Sequence, residues 1–441
     1  MLIYAEHNTP RLRYVLNFIF RDVFRIEFEI TVAKDEFEVY RGPKLNYSDV
    51  EFAGSVRVPV SGLLWETGVK DIDPGLNSRE TPPALFHTEN TRDRTGRSDI
   101  PGLSFDLLAA VFYMISRYEE YLPFEADRHG RFEAGSSLAG KNGFLEVPVV
   151  DLWILDLGER LRNSFTGMQL PDVDFQFQPT CDIDLPYAFL HRGTIRTLGA
   201  RVKAGLNAEL DPILRREVLS GQSRDPFDTY SEIEAVHALH KIRPKIFFLT
   251  SRYGKFDKSI SPGRKAFKNL VLQTGKYADL GIHPSYRASD SRAELRKEIR
   301  MLSSITGEEI SRSRQHFLKF RLPGSYRDYI TAGIREDYSM GFASAAGFRA
   351  GTSRPFNFYD LDAEEETSLR VVPFEVMDRS LKDYMNLPPE KALEKIMSIA
   401  GTIRRTGGIF TTIWHNDAFS EHGEWKGWKE VYLQMINSLA P

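Results

Sequence analysis

The sequence has very little cysteine: Cys181 is the single one in 441 residues, so an internal disulfide is impossible. This fits a reducing compartment. The chain also lacks any run of about 18 apolar residues, the length that a membrane-spanning helix requires. Residues 1–6 lack the basic segment, the apolar stretch and the small-residue cleavage site of a signal peptide. We therefore expect a cytoplasmic protein without a transmembrane segment.

An excess of positive charge is absent as well. Lysine and arginine number 58 against 61 aspartates and glutamates, and the formal net charge is −3. Proteins that bind nucleic acid usually carry a strongly basic balance, so no such partner is expected. A chain of this length is too long for one compact core, which predicts more than one domain.

The chain changes pattern near Pro171. Residues 1–170 predict a small α/β domain, with a strand at 2–5, an amphipathic helix over 105–121 and no site chemistry. From residue 171 onwards strands and helices alternate, apart from a basic helical insertion near 190–228. Alternation of this kind indicates a parallel sheet or a barrel. The predicted strands are 174–179, 245–250, 279–282, 310–315, 333–336, 371–376 and 408–414.

Polar residues gather where these predicted strands end. In a (β/α) barrel every carboxyl-terminal strand end opens onto one face, and that face holds the active site. Carboxylates and histidines from several strands are therefore expected to converge. The residues in question are Asp182, Asp184, His283, Arg314, His316, Asp337, Asp378 and His415.

Asp182 and Asp184 lie two residues apart, so on an extended chain both side chains point the same way. Two such carboxylates repel each other unless a cation or a proton separates them. A divalent metal held by one carboxylate and two neutral imidazoles keeps a position open for water, and the second carboxylate can act as a general base. His415 can then serve as the general acid. For the aspartate pair alone, strand-end capping is the alternative interpretation.

Residues 171–441 resemble the polysaccharide deacetylase (NodB-homology, carbohydrate esterase family 4-like) superfamily, in a subgroup with an extra N-terminal domain. Residues 180–184 (TCDID) are similar to the Thr-x-Asp-x-Asp variant of its first motif. Residues 280–285 (LGIHPS) are similar to the start of the second motif, and residues 413–415 (IWH) to the Leu-x-His of the last strand.

The resemblance implies a distorted (β/α) barrel of about seven strands and a divalent metal ion, most often zinc. It implies an enzyme that removes acetyl groups from N-acetylated, less often O-acetylated, sugars of a polysaccharide or glycoconjugate. By resemblance Asp182 is the base, and Asp184 and His283 are metal ligands. Arg314 would orient Asp182, and we expect Asp337 behind the catalytic groups. Asp378 is either a partner within the site or a helix cap.

One position departs from the family pattern. The family has a second histidine four residues after the first, and this chain has Arg287 there, which cannot bind a metal. His316 is our candidate for the third ligand. Residues 321–323 (RLP) offer an alternative match to the family's third motif, where we placed Arg314. Residues 347–351 (GFRAG) resemble a segment of the subgroup, and we predict substrate contacts for Arg349, Arg354 and Tyr286.

Three other interpretations remain open at this point. A non-catalytic carbohydrate-binding descendant on the same fold is supported by the missing second histidine. A metal-free glycosidase would use two carboxylates about 5–10 Å apart across a cleft. An interaction protein would depend on the first domain instead of the strand-end residues.

Overall fold

Two sheets organise the chain. The structure is a computed structural model that describes residues 1–78, 80–87, 103–192 and 212–441. The smaller sheet is entirely parallel, with the order β2-β1-β3-β4. Its strands are β1 (Leu2–Ala5), β2 (Glu29–Thr31), β3 (Lys44–Tyr47) and β4 (Val56–Val58).

Helices surround this smaller sheet. The predicted helix over 105–121 is shorter, Leu107–Ile115, and all of its residues are buried. It begins at Asp106, whose carboxylate accepts the backbone N–H of Ala109 at 2.9 Å, as expected of an N-cap. The other helices here are Pro10–Leu16, the π-helix Asn17–Val23, Lys34–Val39, Leu138–Lys141 and Val149–Ser164.

The larger sheet has the order β10-β11-β9-β8-β7-β6-β5-β13-β12. Its neighbouring strands are parallel except for the antiparallel pair β10 and β11. Within the described residues β10 and β12 do not pair, so the sheet is an open, distorted barrel, as expected. Its strands are β5 (Phe175–Ile183), β6 (Lys245–Phe248), β7 (Asp279–Ile282), β8 (Arg312–Ser313), β9 (Glu336–Met340), β10 (Phe356–Asp360), β11 (Glu365–Pro373), β12 (Val376–Met377) and β13 (Gly408–His415).

Helices alternate with these strands along the chain, as predicted. Helix Arg292–Thr306 begins at Ser291, which accepts the N–H of Glu294, and ends before Gly307, whose φ of 76° suits glycine. Helix Pro389–Thr406 carries its proline in the first turn. The others are Tyr230–Leu239, Lys265–Thr274, Gly324–Thr331 and Trp428–Leu439. In the described residues, no helix is long and apolar enough to cross a membrane.

The predicted insertion near 190–228 is described only in part, because residues 193–211 lie outside the described ranges. Helix Pro212–Ser220 belongs to it. Asp225 anchors the insertion, since its carboxylate accepts the backbone N–H groups of Ala188, Phe189 and Leu190 at 2.7–2.9 Å. The insertion is thereby fixed beside the end of β5.

The two parts of the chain share one hydrophobic core. A single cluster of buried apolar side chains extends from Ile3, in the smaller sheet, to Leu439, in the last helix. The predicted boundary near Pro171 falls between helix Val149–Ser164 and β5. Each apolar side chain that is fully buried contributes roughly 1.5–3 kcal/mol, so a shared core of this extent fixes the two parts firmly against each other.

Candidate metal centre and active site

The carboxyl ends of the central parallel strands bring the predicted residues together. In the sheet register Asp182 of β5 pairs with Phe247 of β6 and with His415 of β13. His283 and Arg314 follow directly after β7 and β8. Because parallel strands end at one edge, the polar side chains that follow them face a common space.

Asp184, His283 and His316 form a compact cluster. One donor atom from each lies within 4.8 Å of the donor atoms of the other two. The Nε2 atom of His283 is 3.1 Å from Asp184 Oδ1, and the Nε2 atom of His316 is 3.4 Å from Asp184 Oδ2. Asp184 Oδ1 is buried and has no hydrogen-bond donor within the part of the chain that the structure describes. The three side chains therefore converge on one point without satisfying one another.

The second nitrogen of each imidazole is already engaged. The Nδ1 atom of His283 lies 2.5 Å from the carbonyl oxygen of Arg314, so Nδ1 carries the proton and donates it. The Nδ1 atom of His316 likewise donates to Asp257 Oδ1 at 3.0 Å. Both Nε2 atoms are therefore directed towards Asp184, and each offers a lone pair to a metal when it carries no proton. Contacts of this kind fix the tautomer of metal-binding histidines.

The charges in the cluster shift the pKa values of two members. Burial alone would raise the pKa of Asp184, but His316 and His283 hold it well below its ordinary value. Burial alone would lower the pKa of His316, but Asp184 and Asp257 raise it to about 9. The cluster therefore holds a proton where a cation can take its place.

Asp182 lies directly beside this cluster. It is only 2% exposed, and its Oδ2 atom is 3.9 Å from His283 Nε2. Its Oδ1 atom is 3.6 Å from Arg314 Nη1 and, among the described residues, has no hydrogen-bond partner. Arg314 is completely buried, with its guanidinium 4.8 Å from the centre of the Phe247 ring. The structure thus places Asp182 next to the cluster with the positive charge of Arg314 behind it.

His415 approaches from the other side of β5. Its Nδ1 atom donates to Asp378 Oδ1 at 2.7 Å, and its Nε2 atom is 3.8 Å from Asp184 Oδ2. Burial would lower the pKa of His415, but Asp378 outweighs it and raises the pKa to about 9. Near neutral pH the imidazole therefore carries a proton on Nε2. Asp378, for which the sequence left two roles open, is the partner of His415.

Asp337 does not reach the reacting face. Its carboxylate accepts from Ser313 Oγ at 2.7 Å and from the backbone N–H and the hydroxyl of Ser339, each at 2.9 Å. The Ser339 hydroxyl in turn accepts the N–H of Gln315 at 2.9 Å. Asp337 therefore supports the segment that carries Arg314 and His316. This is the position behind the catalytic groups that the sequence led us to expect, and Asp337 itself is not one of those groups.

The predicted substrate contacts of Arg349 and Arg354 are wrong. Arg349 is 3% exposed, and its guanidinium donates to both carboxylate oxygens of Glu120 and to the Gly341 carbonyl. The guanidinium of Arg354 donates to the Thr406 carbonyl and lies 3.5 Å from Asp151 Oδ1. Glu120 and Asp151 lie before residue 171, in the part of the chain predicted to be the first domain. The segment around residues 347–354 therefore contacts the part of the chain before residue 171, and every nitrogen of the buried Arg349 guanidinium is already engaged there or with the Gly341 carbonyl.

Tyr286, the third predicted substrate contact, does lie near the cluster. Its ring stacks on Phe256 at 4.2 Å and meets the edge of Phe317, the residue after His316. All three rings are partly exposed. Its backbone N–H donates to Asp257, the carboxylate that holds His316. These rings offer an apolar surface beside the cluster, and a substrate contact of Tyr286 stays a prediction.

Sequence reasoning missed Asp257, the carboxylate that accepts from His316 Nδ1. Asp257 lies in the long loop after β6, and its position beyond a strand end was the signal that could have found it. Arg287, which stands where the family has its second histidine, is exposed and lies 3.8 Å from Glu294. His316, and not a residue near position 287, supplies the third side chain of the cluster.

Comparisons with known proteins do not decide the activity. A model of a family of unknown function, DUF7033, matches residues 1–166. No curated protein matches the sequence. The chain is similar in structure to a protein from Mycobacterium smegmatis assigned as a polysaccharide deacetylase, with 12% identity and a TM-score of 0.42, over 62% of this chain and 86% of that one.

Two further solved structures show a similarity of the same kind. A Pseudomonas aeruginosa protein, also assigned as a polysaccharide deacetylase, has 11% identity and a TM-score of 0.40, over 60% of this chain and 86% of that one. A CE4 family pseudoenzyme from Bacillus anthracis has 12% identity and a TM-score of 0.26, over 49% and 58%. With scores this low, activity and substrate have to follow from this chain's own side chains.

Proposed function

We propose that this protein is a metal-dependent hydrolase that removes the acetyl group from an N-acetylated sugar, with an O-acetyl ester as the less favoured substrate. The observation that carries the proposal is the convergence of Asp184, His283 and His316 within 4.8 Å. The flanking positions of Asp182 and His415 supply a base and an acid. The substrate class comes from the motif resemblance.

The donor set fits a divalent ion, and zinc fits it best. Zinc is typically bound by imidazole nitrogens and carboxylate oxygens, and its catalytic sites use three protein ligands. Asp184, His283 and His316 would hold it, since both Nε2 atoms and the Asp184 carboxylate already face one another, and the metal would replace the proton of His316. When bound, such an ion supplies a Lewis acid for a carbonyl oxygen and makes water more acidic.

Asp182 acts in this proposal as the general base. Its Oδ2 atom, which lies on the side of the cluster 3.9 Å from His283 Nε2, can accept the proton of the water that attacks the acetyl carbonyl. Arg314 keeps this carboxylate in position and offsets its charge from 3.6 Å. Replacement of Asp182 by asparagine would remove the proton acceptor while leaving the shape of the site unchanged.

His415 acts as the general acid. Its proton on Nε2 is available near neutral pH because Asp378 raises its pKa to about 9. Transfer of this proton to the leaving nitrogen releases the free amine of the sugar and breaks the amide bond. The half-exposed rings of Phe256, Tyr286 and Phe317 offer faces on which a sugar ring can stack.

The alternative is a sugar-binding protein on the same fold that does not catalyse hydrolysis. Arg287 favours it, because the histidine of the family pattern is missing at that position. The two functions differ in one observable. Both can bind sugar, but only the enzyme releases acetate.

Acetate release from N-acetylglucosamine oligomers tests the proposal. The full chain is stripped with a chelator and then loaded with zinc, cobalt or nickel, beside the variants Asp184→Asn and Asp290→Asn. Asp290 is a matched control because it pairs with Lys319 outside the cluster. We expect metal-dependent release that D184N abolishes and D290N preserves.

The outcomes separate the candidates. A chain that binds zinc and sugar but releases no acetate from amide or ester substrates supports the binding protein. Cleavage of glycosidic bonds that survives the chelator supports the metal-free glycosidase. A chain that binds none of the three metals contradicts the proposal.

A further inference from the structure

The backbone after His316 turns back through two unusual residues. Phe317 has a φ of 61° and Leu318 a φ of 52°, so both adopt the left-handed conformation. Residues with a Cβ atom rarely adopt it, and when they do the surrounding structure has to hold them there. The 316–318 turn, defined by these three residues, therefore needs external support for His316 to keep its position.

That support comes from the first domain. Arg131 is 6% exposed, and its Nη1 atom donates to the carbonyl oxygen of Phe317 at 2.9 Å. Its Nη2 atom donates to the Tyr384 hydroxyl at 3.2 Å, and its Nε atom to Asp127 at 2.7 Å. One guanidinium from the first domain thus binds the left-handed residue next to the third member of the cluster.

The first-domain loop that carries Arg131, residues 127–131, is held by hydrogen bonds of its own. Asp127 Oδ1 accepts the backbone N–H groups of His129 and Arg131, each at 2.8 Å. Gly130 has a φ of 79°, and its carbonyl accepts from Arg321 Nε at 2.9 Å. A Cβ atom at position 130 would lie 2.8 Å from Arg321 Nη2, which shows how closely the loop packs on the segment after His316.

The same loop also contacts the aromatic side chains of the site. The His129 ring lies 5.1 Å from the Phe317 ring, and its Nδ1 atom is 3.2 Å from the Tyr286 hydroxyl. The Phe317 ring is in turn 4.7 Å from the His316 ring. The first domain is therefore linked to His316 in two ways, by the hydrogen bond to the Phe317 carbonyl and by the contacts of the His129 and Phe317 rings.

We propose that the 127–131 loop is a positioning element of the metal centre and that Arg131 is its main positioning residue. The first domain would then complete the site of the second. The assignment of His316 as a metal ligand rests on the proposed function, whereas the contact of Arg131 with the 316–318 turn does not. Loss of Arg131 frees the turn, lets the His316 imidazole leave Asp184 and weakens metal binding.

The test uses the full chain with Arg131→Gln and a matched control, Glu146→Gln. Glu146 is also a first-domain residue in an ion pair with the second domain, with Lys395 at 2.8 Å, but it does not contact the 316–318 turn. Hydrogen exchange of the peptide 314–320 is measured on the metal-free protein by mass spectrometry. Zinc affinity is measured separately by competition with a chromophoric chelator.

We expect R131Q to exchange this peptide at least about tenfold faster and to bind zinc roughly 10- to 100-fold more weakly, the range found when partners behind metal ligands are lost. E146Q should match the wild type in both measurements. If R131Q does not fold, Arg131→Lys replaces it. One ammonium group cannot serve Asp127, Tyr384 and the Phe317 carbonyl together, so R131K should give an intermediate change in both readouts.

The two proposals fail in different ways. Unchanged exchange and unchanged zinc affinity in both Arg131 variants overturn the positioning role and leave the proposed function intact. Faster exchange in R131Q when the wild type binds no zinc would show that Arg131 holds the 316–318 turn, but it would contradict the proposed function and overturn the role of Arg131 at a metal centre. Equal changes in R131Q and E146Q would show a general effect of domain contacts and overturn the specific role of Arg131.

Discussion

His316 and His415 reach Asp184 from opposite directions along the sheet, one after β8 and one at the end of β13. Each is buried, and each donates from Nδ1 to a carboxylate, Asp257 for His316 and Asp378 for His415. Each directs Nε2 towards Asp184 Oδ2, at 3.4 and 3.8 Å. The pKa of each is raised to about 9. Taken alone, the two histidines have nearly the same surroundings.

They differ in what else lies near Nε2. The His316 ring is 5.0 Å from the His283 ring, so two imidazoles and one carboxylate converge there. His415 pairs across the sheet with Asp182 and stands outside that cluster. A metal ligand requires other ligands around its lone pair, whereas an acid requires a protonated nitrogen facing the substrate. The role of each histidine therefore follows from the groups around its Nε2 atom.

The largest expected effect comes from removing each histidine in turn. His415→Ala should lower kcat by roughly 10²–10⁴-fold, the usual contribution of a general acid, while zinc affinity changes less than about threefold. His316→Ala should weaken zinc binding by more than about 100-fold, beyond the loss seen when only a supporting partner is removed. Acetate release and zinc competition are measured on both variants. Zinc loss in H415A with zinc retained in H316A would mean that the two assignments are exchanged.

The strand-end residues could be placed together from the sequence because strands and helices alternate regularly along this part of the chain. Alternating strands and helices indicate a parallel sheet, and a parallel sheet places all its carboxyl ends at one edge. Asp182, Asp184, His283 and His415 could be assigned to that edge without knowledge of any contact. His316 could be proposed because only one position of the family pattern was unfilled.

The sequence could not predict contacts that depend on distant segments. Arg349 pairs with Glu120, 229 residues earlier in the chain, and no local pattern reveals this pair. Strand β10 was missed because four of its five residues are buried, so it lacks the alternation of a half-exposed strand. Arg131 acts through the Phe317 carbonyl, and a backbone acceptor leaves no signal in the sequence.

Smaller effects are expected from the carboxylates that accept from Nδ1, which are Asp257 for His316 and Asp378 for His415. Asp257→Asn should weaken zinc binding by roughly 10- to 100-fold, because the His316 ring loses the carboxylate that fixes its tautomer. Asp378→Asn should leave zinc affinity unchanged and lower kcat, since His415 would lose its proton at a lower pH. The acidic limb of the pH profile is unaffected, and the alkaline limb moves to lower pH in D378N. If both variants weaken zinc binding equally, both histidines bind the metal.

Zinc binding should also depend on pH in a way that identifies His316. A cation and a proton compete for its Nε2 atom, and its pKa is about 9 in the metal-free protein. Between pH 7 and pH 8.5 the apparent zinc affinity should therefore rise by about tenfold per pH unit, with one proton released on binding. Calorimetry in buffers of different ionisation enthalpy counts that proton. His415→Ala should leave the count unchanged, and a loss of the proton in this variant would contradict the assignment.

The smallest expected effect concerns the stability of the metal-free protein. Both histidines have a pKa near 9 in the folded state and an ordinary value near 6.5 when unfolded, so the folded state binds their protons more tightly. This stabilisation is fully present below about pH 6.5 and is lost as the pH rises to about 9. The free energy of unfolding in urea should therefore fall by up to about 7 kcal/mol over that window. His316→Gln and His415→Gln should each remove part of the fall, because glutamine does not titrate. A fall of the same size in both variants would mean that other groups cause it, and the shared electrostatic surroundings of the two histidines would then have no thermodynamic consequence.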